Sequence, residues 1–332
     1  MKTKFLSFFL FLCISISHSQ TFSGTVLDVV TNQPLESVSV YFDNTTIGTS
    51  TNDKGHFNIE YTDAVQSTLV ISFLGYEKVF IADYRIKNDI TILLKESANE
   101  LDLIVIDTDD GMSRELKMKR FKREFLGKSE NGKSCKILNE DDIKLRYNKH
   151  DKTITAWSNT PILVKNKNLQ YEISFEIIDF EITLGTWGVS SVVYSGTSYF
   201  KDLDTKQKKR IAKNRLETYL GSVQHFIRAL YNKQLKEEGY IFGVEGFVVN
   251  PYNYFSISIV DDYGCKLIKL KEKLDIFYKG TIESIIQTEI DQFKIDNYGN
   301  YAPISDVLFG GHMGSQRVGD SLPLNYGLNI NE

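Results

Sequence analysis

Apolar and polar residues alternate over much of this chain. Val38, Val40 and Phe42 alternate with Ser39 and Tyr41, and Phe57, Ile59 and Tyr61 alternate with polar neighbours. Leu69, Ile71 and Phe73, then Val79–Ile81, then Ile90, Ile92 and Leu94 repeat the pattern. A period of two puts one set of side chains on one face of a pleated strand, so each run predicts a half-buried strand. Thr21–Val30 opens the series and Asn32-Gln33-Pro34 turns it. Asn52-Asp53-Lys54-Gly55 is a hairpin signal, with Gly near the position that needs a positive φ. About seven short strands, with turns every 8–12 residues and no helix, predict two facing sheets over residues 21–97.

Residues 98–125 read as a linker and a short basic helix. In the helix Leu116, Phe121 and Phe125 face a core, and Lys117, Arg120 and Lys122 are solvated. Strands resume over 126–332. Tyr171, Ile173, Phe175 and Ile177 alternate with Glu172, Ser174 and Glu176, the mark of an antiparallel sheet with one wet face. Residues 204–238 read as one long helix. Asp204 with Gln207 resembles a capping box, Leu216, Tyr219, Leu220, Val223, Phe226, Ile227 and Leu230 form one stripe, and Gly239 is the stop. The fold class is therefore mainly β: a seven-stranded sandwich, then a mostly antiparallel β (α+β) domain with one long helix laid across a sheet.

Five short motifs fall in order in the first domain: Gly24-Thr25-Val26, Pro34-Leu35 with Val38-Ser39-Val40, Gly48-Thr49, Thr51–Phe57 and Ser72-Phe73-Leu74-Gly75-Tyr76. Together they resemble the carboxypeptidase regulatory-like (transthyretin-like) family, with Asn52 standing where that family usually has Asp. The resemblance implies a β-sandwich and no particular activity, because a fold hosts many functions. Leu101–Ile106 is similar to the segment that leads into the plug of outer-membrane receptors, but no plug sequence follows, and a receptor is rejected. The layout also resembles exported proteins in which this sandwich precedes a domain of unknown function. That likeness rests on Phe121–Gly127, Asn214-Arg215-Leu216, His225–Leu230, Gln316-Arg317-Val318 and Leu322-Pro323-Leu324, and it implies architecture only.

Lys2 and Lys4, the apolar run Phe5–Ile16 and Ser17-His18-Ser19 read as a signal peptide over 1–19, cleaved before Gln20. Export to the periplasm or the outer-membrane surface of a Gram-negative bacterium is expected, with no transmembrane span after cleavage. A net charge of −4 gives no reason to expect nucleic acid. Of the three cysteines, Cys135 and Cys265 lie outside the leader, and an oxidising compartment permits a disulfide between them.

The zinc-peptidase chemistry that the family name suggests has no His-Glu-x-x-His motif here, so no metal, cofactor or catalytic residue is expected. Lys206, Lys209, Arg210 and Lys213 are related by three- and four-residue steps at the start of the long helix, and they are read as an anion-binding cluster. The expected function is that of an exported, non-catalytic binding protein, with an envelope protein or an anionic envelope component or glycan as partner. The rival is an envelope hydrolase acting on peptide or glycan through dispersed acids.

Overall fold

The computed structural model describes residues 20–61, 67–86, 89–97, 110–203, 206, 208–259 and 264–328. The expected leader, the Leu101–Ile106 segment and the Asp204/Gln207 cap lie outside these residues.

The chain is mainly β, with antiparallel sheets around three hydrophobic cores. The first core is the sandwich. Its strands are β1 (Gln20–Asp28), β2 (Ser39–Phe42), β3 (Gly48–Ser50), β4 (His56–Tyr61), β5 (Leu69–Ser72), β6 (Val79–Ile81) and β7 (Ile90–Leu94). One sheet runs β4-β1-β7 and the other β3-β2-β5-β6. The alternation in β4 is literal: Phe57, Ile59 and Tyr61 are buried and His56, Asn58 and Glu60 exposed. The Asn52 turn closes as its family counterpart's Asp would, because the amide oxygen accepts the backbone N–H groups of Lys54 and His56 at 3.0 Å each. Gly55 has φ +70°, and a Cβ there would meet Val26 O at 2.5 Å. The Gly75-Tyr76 motif is tied down by Tyr76 Oη, which donates to Asp28 at 3.0 Å. One 3₁₀ turn, Tyr84–Ile86, departs from the all-strand expectation; it inserts Tyr84 among Phe42 and Tyr61.

The second core is built on α1 (Arg114–Leu126), α2 (Glu130–Ser134) and strands β8 (Cys135–Ile137), β9 (Lys144–Asn148), β10 (Thr153–Trp157), β11 (Ile162–Asn166), β12 (Tyr171–Gly185) and β13 (Gly188–Asp202). The long β12 carries β11 and β10 along one edge and β13 along the other. α1 is not part of a linker. Phe121 and Phe125 are fully buried and meet Phe175 and Phe180 of β12. Its inner face is also rotated from the expected one. Leu116 is 41% exposed, whereas Met118 and Lys117 are buried. Lys117 can go inside because Asp110 pairs with it at 2.6 Å.

The third core replaces the expected long helix. Residues 208–231 form two helices, α3 (Lys208–Tyr219) and α4 (Val223–Tyr231), not one helix over 204–238. Gly221 takes φ +78° and Ser222 caps α4 by accepting the His225 N–H at 3.1 Å. The apolar stripe therefore splits: Leu216 is half exposed, whereas Phe226, Ile227 and Leu230 are fully buried. Two sheets pack with α4. The first uses β14 (Tyr240–Val244), β15 (Phe247–Val249), β18 (Leu274–Tyr278), β19 (Ile282–Thr288) and β22 (Val307–Gly310); the second uses β16 (Phe255–Ile259), β17 (Lys266–Leu270), β20 (Phe293–Ile295) and β21 (Tyr301–Ala302). A short α5 (Gly311–Ser315) follows. Residues 126–332 thus hold two cores where one domain was expected.

Polar contacts join the three cores. Glu176 of β12, 6% exposed, accepts from Tyr41 Oη at 2.9 Å and Ser72 Oγ at 3.2 Å, and pairs with Lys78 at 2.5 Å. Arg215 of α3 donates to Leu169 O and Gln170 O and lies 3.7 Å from the centroid of the Tyr171 ring. The tail crosses back over everything. Val318 enters the second core, and Leu324 N–H donates to Asn44 O of the sandwich at 2.6 Å. Arg228 of α4 donates to Leu324 O, Tyr326 O and Tyr298 O at 2.8–3.0 Å.

Candidate functional site

Four pieces of chain that are remote in sequence meet around a polar cleft of about 530 Å³. They are the end of α1 with the Gly127–Asn131 turn, the second half of α3, the Asn168 loop, and the segment from α5 to Asp320. Their crossing needs glycine. A Cβ on Gly319 would lie 2.3 Å from Leu126 O and 2.5 Å from Gly132 Cα, so no side chain fits.

A chain of hydrogen bonds lines the cleft. Ser129 Oγ donates to Asp320 Oδ1 at 2.6 Å, and Asn131 Nδ2 reaches the same oxygen at 3.2 Å. Asn131 Nδ2 also donates to Thr218 Oγ1 at 2.9 Å, and that hydroxyl donates to Asn214 O at 2.8 Å. Asn214 Nδ2 continues to Asn168 O at 3.1 Å. Beneath the crossing, fully buried Asn166 donates to Gly319 O at 2.9 Å. The wall is therefore one of amides and hydroxyls that hold each other in place.

Charge is arranged asymmetrically on this wall. The Glu124 side chain is 5% exposed, yet Lys128 and Arg123 approach its Oε1 only at 3.3 and 3.4 Å from exposed positions. Among the described residues nothing donates a hydrogen bond to that oxygen. Arg317 uses Nη1 for Gly314 O and Gln316 O, at 2.8 and 2.7 Å, while its Nε has no acceptor. Both atoms are shielded from solvent and Glu124 Oε1 is balanced by the two cations, so the polar groups that line the cleft for a ligand are the amides and hydroxyls of Ser129, Asn131, Asn168, Asn214 and Thr218. Next to the cleft, burial and the charge of Asp320 push the Cys135 thiol up to about 12.

Of the residues singled out from sequence, His312 lines the cleft and Cys135 lies beside it, while the basic cluster and Cys265 lie elsewhere. Lys206, Lys209, Arg210 and Lys213 are all exposed, but Lys206 precedes α3 and so cannot share a helical face with the others. Lys213 is 3.7 Å from Glu217, one turn on, and Arg215 is turned inward on Tyr171. Cys135 and Cys265 are not bridged among the described residues. Cys135 packs against the second core and donates to Asn131 O, whereas Cys265 sits beside β17 in the third unit, so the disulfide expectation is corrected. His56, His150 and His312 are exposed. His225 is 2% exposed and forms a His–acid pair with Glu238 at 3.1 Å. Its Nδ1 accepts the Gly221 N–H at 3.0 Å and lies 2.9 Å from Tyr240 Oη, so both ring nitrogens are engaged in holding the α3–α4 break. Burial lowers its pKa against the pull of Glu238, which keeps the ring neutral.

Sequence reasoning missed Glu124, Asn131, Arg317 and Asp320 as a group. The signal was present only as fragments: Arg123-Glu124 with Gly127, Asn214, and Gln316-Arg317 belong to the stretches that carry the likeness of the second part to other exported proteins.

Residues 22–106 match the CarboxypepD_reg-like domain family. A search of curated proteins finds no match. Among solved structures, the crystal structure of a 9R-lipoxygenase from Cyanothece PCC8801 is similar at 12% identity, over 63% of this chain and 46% of that one, with a TM-score of 0.21. The chain thus spans less than half of that protein, and a likeness of this size carries no argument about fold or activity.

Proposed function

We propose, for a chain whose residues 22–106 form a CarboxypepD_reg-like domain, that it is an exported, non-catalytic binding protein of the bacterial envelope. The sandwich is a fixed mount, and the polar cleft takes an amide- and hydroxyl-bearing ligand such as an N-acetylated glycan. The observation that carries this reading is the cleft wall itself: the amides and hydroxyls of Ser129, Asn131, Asn168, Asn214 and Thr218, locked in place by one another beside Glu124. Sugar hydroxyls and acetamido groups exchange hydrogen bonds with such amides and hydroxyls without a charge change. The exposed Lys206, Lys209, Arg210 and Lys213 add a salt-dependent attraction to anionic envelope material.

Calorimetric titration of the mature chain with N,N′,N″,N‴-tetraacetylchitotetraose tests the cleft. The expected result is saturable, exothermic binding that weakens at least about tenfold in Glu124→Gln and Asn131→Ala, as expected for loss of about 1.4 kcal/mol of hydrogen bonding. Binding equal in all three proteins, or none in any, would overturn the assignment. Export is tested by N-terminal sequencing of protein from native cells. The sequence should begin at Gln20 or Thr21, and a retained Met1 would refute export.

A further inference from the structure

Among the described residues, β13 has a full strand partner on one side only. Its inner partner is β12 along its whole length. On the other side the sandwich turn covers only the last residues. Asn44 N–H donates to Ser198 O at 2.7 Å, Phe200 N–H donates to Thr45 O at 2.9 Å, and Thr45 and Tyr199 form a parallel bridge. Among the described residues no strand pairs with Gly188–Gly196 on that side.

Natural proteins guard such edges with charges, proline, bulges or short length. β13 is 15 residues long. The nineteen residues between Glu181 and Lys201 contain no charged residue and no proline. Ser190, Ser191 and Ser195 are exposed, and Val193 is 57% exposed. The β12–β13 register shifts at Ser190 and opposite Ser195–Gly196, so irregularities mark both ends of the stretch. The edge between them carries no charge or proline and is a template for another strand.

A second feature lies alongside it. A cleft of about 450 Å³ separates the inner face of this sheet from the third unit. Phe175, Tyr194 and Gly196 of the sheet and Tyr301, Ile304 and Phe309 of the third unit are among the residues that line it. Ile304 is 66% exposed. In strand addition the backbone supplies affinity, and a cleft that receives alternate side chains supplies selection. Here the two occur side by side, on an edge where backbone from another unit already bonds.

We infer that the edge of β13 from Gly188 to Gly196 binds an extended, uncharged segment of a partner protein as an added strand, with alternate apolar side chains entering the Tyr194–Ile304 cleft. The bound segment covers about 30 Å of edge, at roughly 3.3 Å per residue. It stops before Ser198, where the Asn44–Thr45 turn occupies the edge. The two clefts share Thr218, Gln316, Arg317 and Asp320, but Glu124 and Asn131 line the polar cleft and not this one.

The test uses the mature chain and a fluorescein-labelled, blocked peptide, Thr-Val-Thr-Phe-Thr-Val-Thr-Val-Thr with two C-terminal lysines for solubility. The same peptide N-methylated at alternate residues is the control, since it cannot complete a ladder. Anisotropy should show saturable binding to the wild type and to Glu124→Gln. Amide exchange across residues 188–196 should slow at least tenfold when the peptide is bound. The N-methylated peptide, and the double variant Val193→Lys/Ser195→Lys, should each lose at least tenfold in affinity; both positions are exposed, and circular dichroism confirms the fold. No saturable binding to the wild type overturns the inference, as does undiminished binding of the N-methylated peptide. Loss in Glu124→Gln would move the probe to the polar cleft and equally overturn it. A wild-type chain that sediments as a dimer, with residues 188–196 already protected, would give the edge to a second copy instead.

Discussion

Glu176 is where the sandwich and the central sheet are joined, and removing it should separate them. The carboxylate is 6% exposed and takes Tyr41 Oη, Ser72 Oγ and Lys78 Nζ from three sandwich segments. Glu176→Ala removes two hydrogen bonds to a charged acceptor, each worth about 1.5–3 kcal/mol. Two features reduce the sum. Tyr41 keeps a partner in Thr197 Oγ1 at 3.0 Å, and Lys78, 29% exposed, returns to water. The expected cost is therefore about 3 kcal/mol, near the low end for breaking a buried pair. Tyr41→Phe leaves the other two contacts in place and should cost about 1.5 kcal/mol. Urea unfolding of residues 20–332 is the assay. Trp157 and Trp187 both belong to the central unit, so fluorescence follows that unit while far-ultraviolet circular dichroism follows all three. The two curves should coincide in the wild type. In Glu176→Ala they should part, with the sandwich no longer reporting the same midpoint. A cost below about 1 kcal/mol with coincident curves would refute Glu176 as the joint.

Further outcomes follow from neighbouring groups. Burial raises Asp43 to about 6 against the hydrogen bonds from Ser198 and Asn44, with the charge of Glu176 adding to the rise. Its folded pKa lies above the ordinary 3.8, so the folded state holds the extra proton and stability falls as pH rises from about 4 to 6. Melting temperatures should show Asp43→Asn gaining on the wild type across that window, with a constant difference above it; a pH-independent difference would refute the shift. Gly319→Ala forces a Cβ onto Leu126 O and Gly132 Cα and should cost on the order of 3 kcal/mol by chemical denaturation, whereas near-neutrality would mean the crossing is loose. Thiol titration of non-reduced, denatured mature chain should find two thiols, with Cys135 silent in the native protein because burial keeps it protonated; a Cys135–Cys265 peptide in a non-reducing digest would contradict this. Changing Lys206, Lys209, Arg210 and Lys213 to Gln should weaken salt-sensitive retention on envelope membranes and barely move the melting temperature, since the Lys213–Glu217 pair is worth about 0.5 kcal/mol. Unchanged retention would reduce the cluster to a solvated face.

The sandwich was legible because its information is local. Alternation places Phe57 and Ile59, and Asn52 and Gly55 close their own turn within five residues. The long helix was misread because the stripe from Leu216 to Leu230 keeps helical spacing across a break. Gly221-Ser222 followed by His225 is a stop and a new cap, and that local signal was outweighed by periodicity. In α1 the helix and its buried Phe121 and Phe125 were legible, but Lys117 was misread, because a buried lysine reads as solvated until its partner Asp110 is known. The polar cleft could not be read at all. Ser129 and Asp320 are 191 residues apart, and only the crossing at Gly132 and Gly319 brings them together.

The returning tail makes this a fold that is finished by its last segment. Arg228 is 8% exposed, and two of its three carbonyl acceptors belong to Leu324 and Tyr326. A chain emerging N-terminus first has made α4 almost a hundred residues before those acceptors exist. Until then the guanidinium has no interior to enter, and the third unit stays unlocked. A chain cut short before Leu324 would keep that uncompensated charge and lose the strap to Asn44, leaving all three units ajar. Closure is thus conditional on the segment around Leu324 and Tyr326, and a product lacking it would present itself to proteases as open chain.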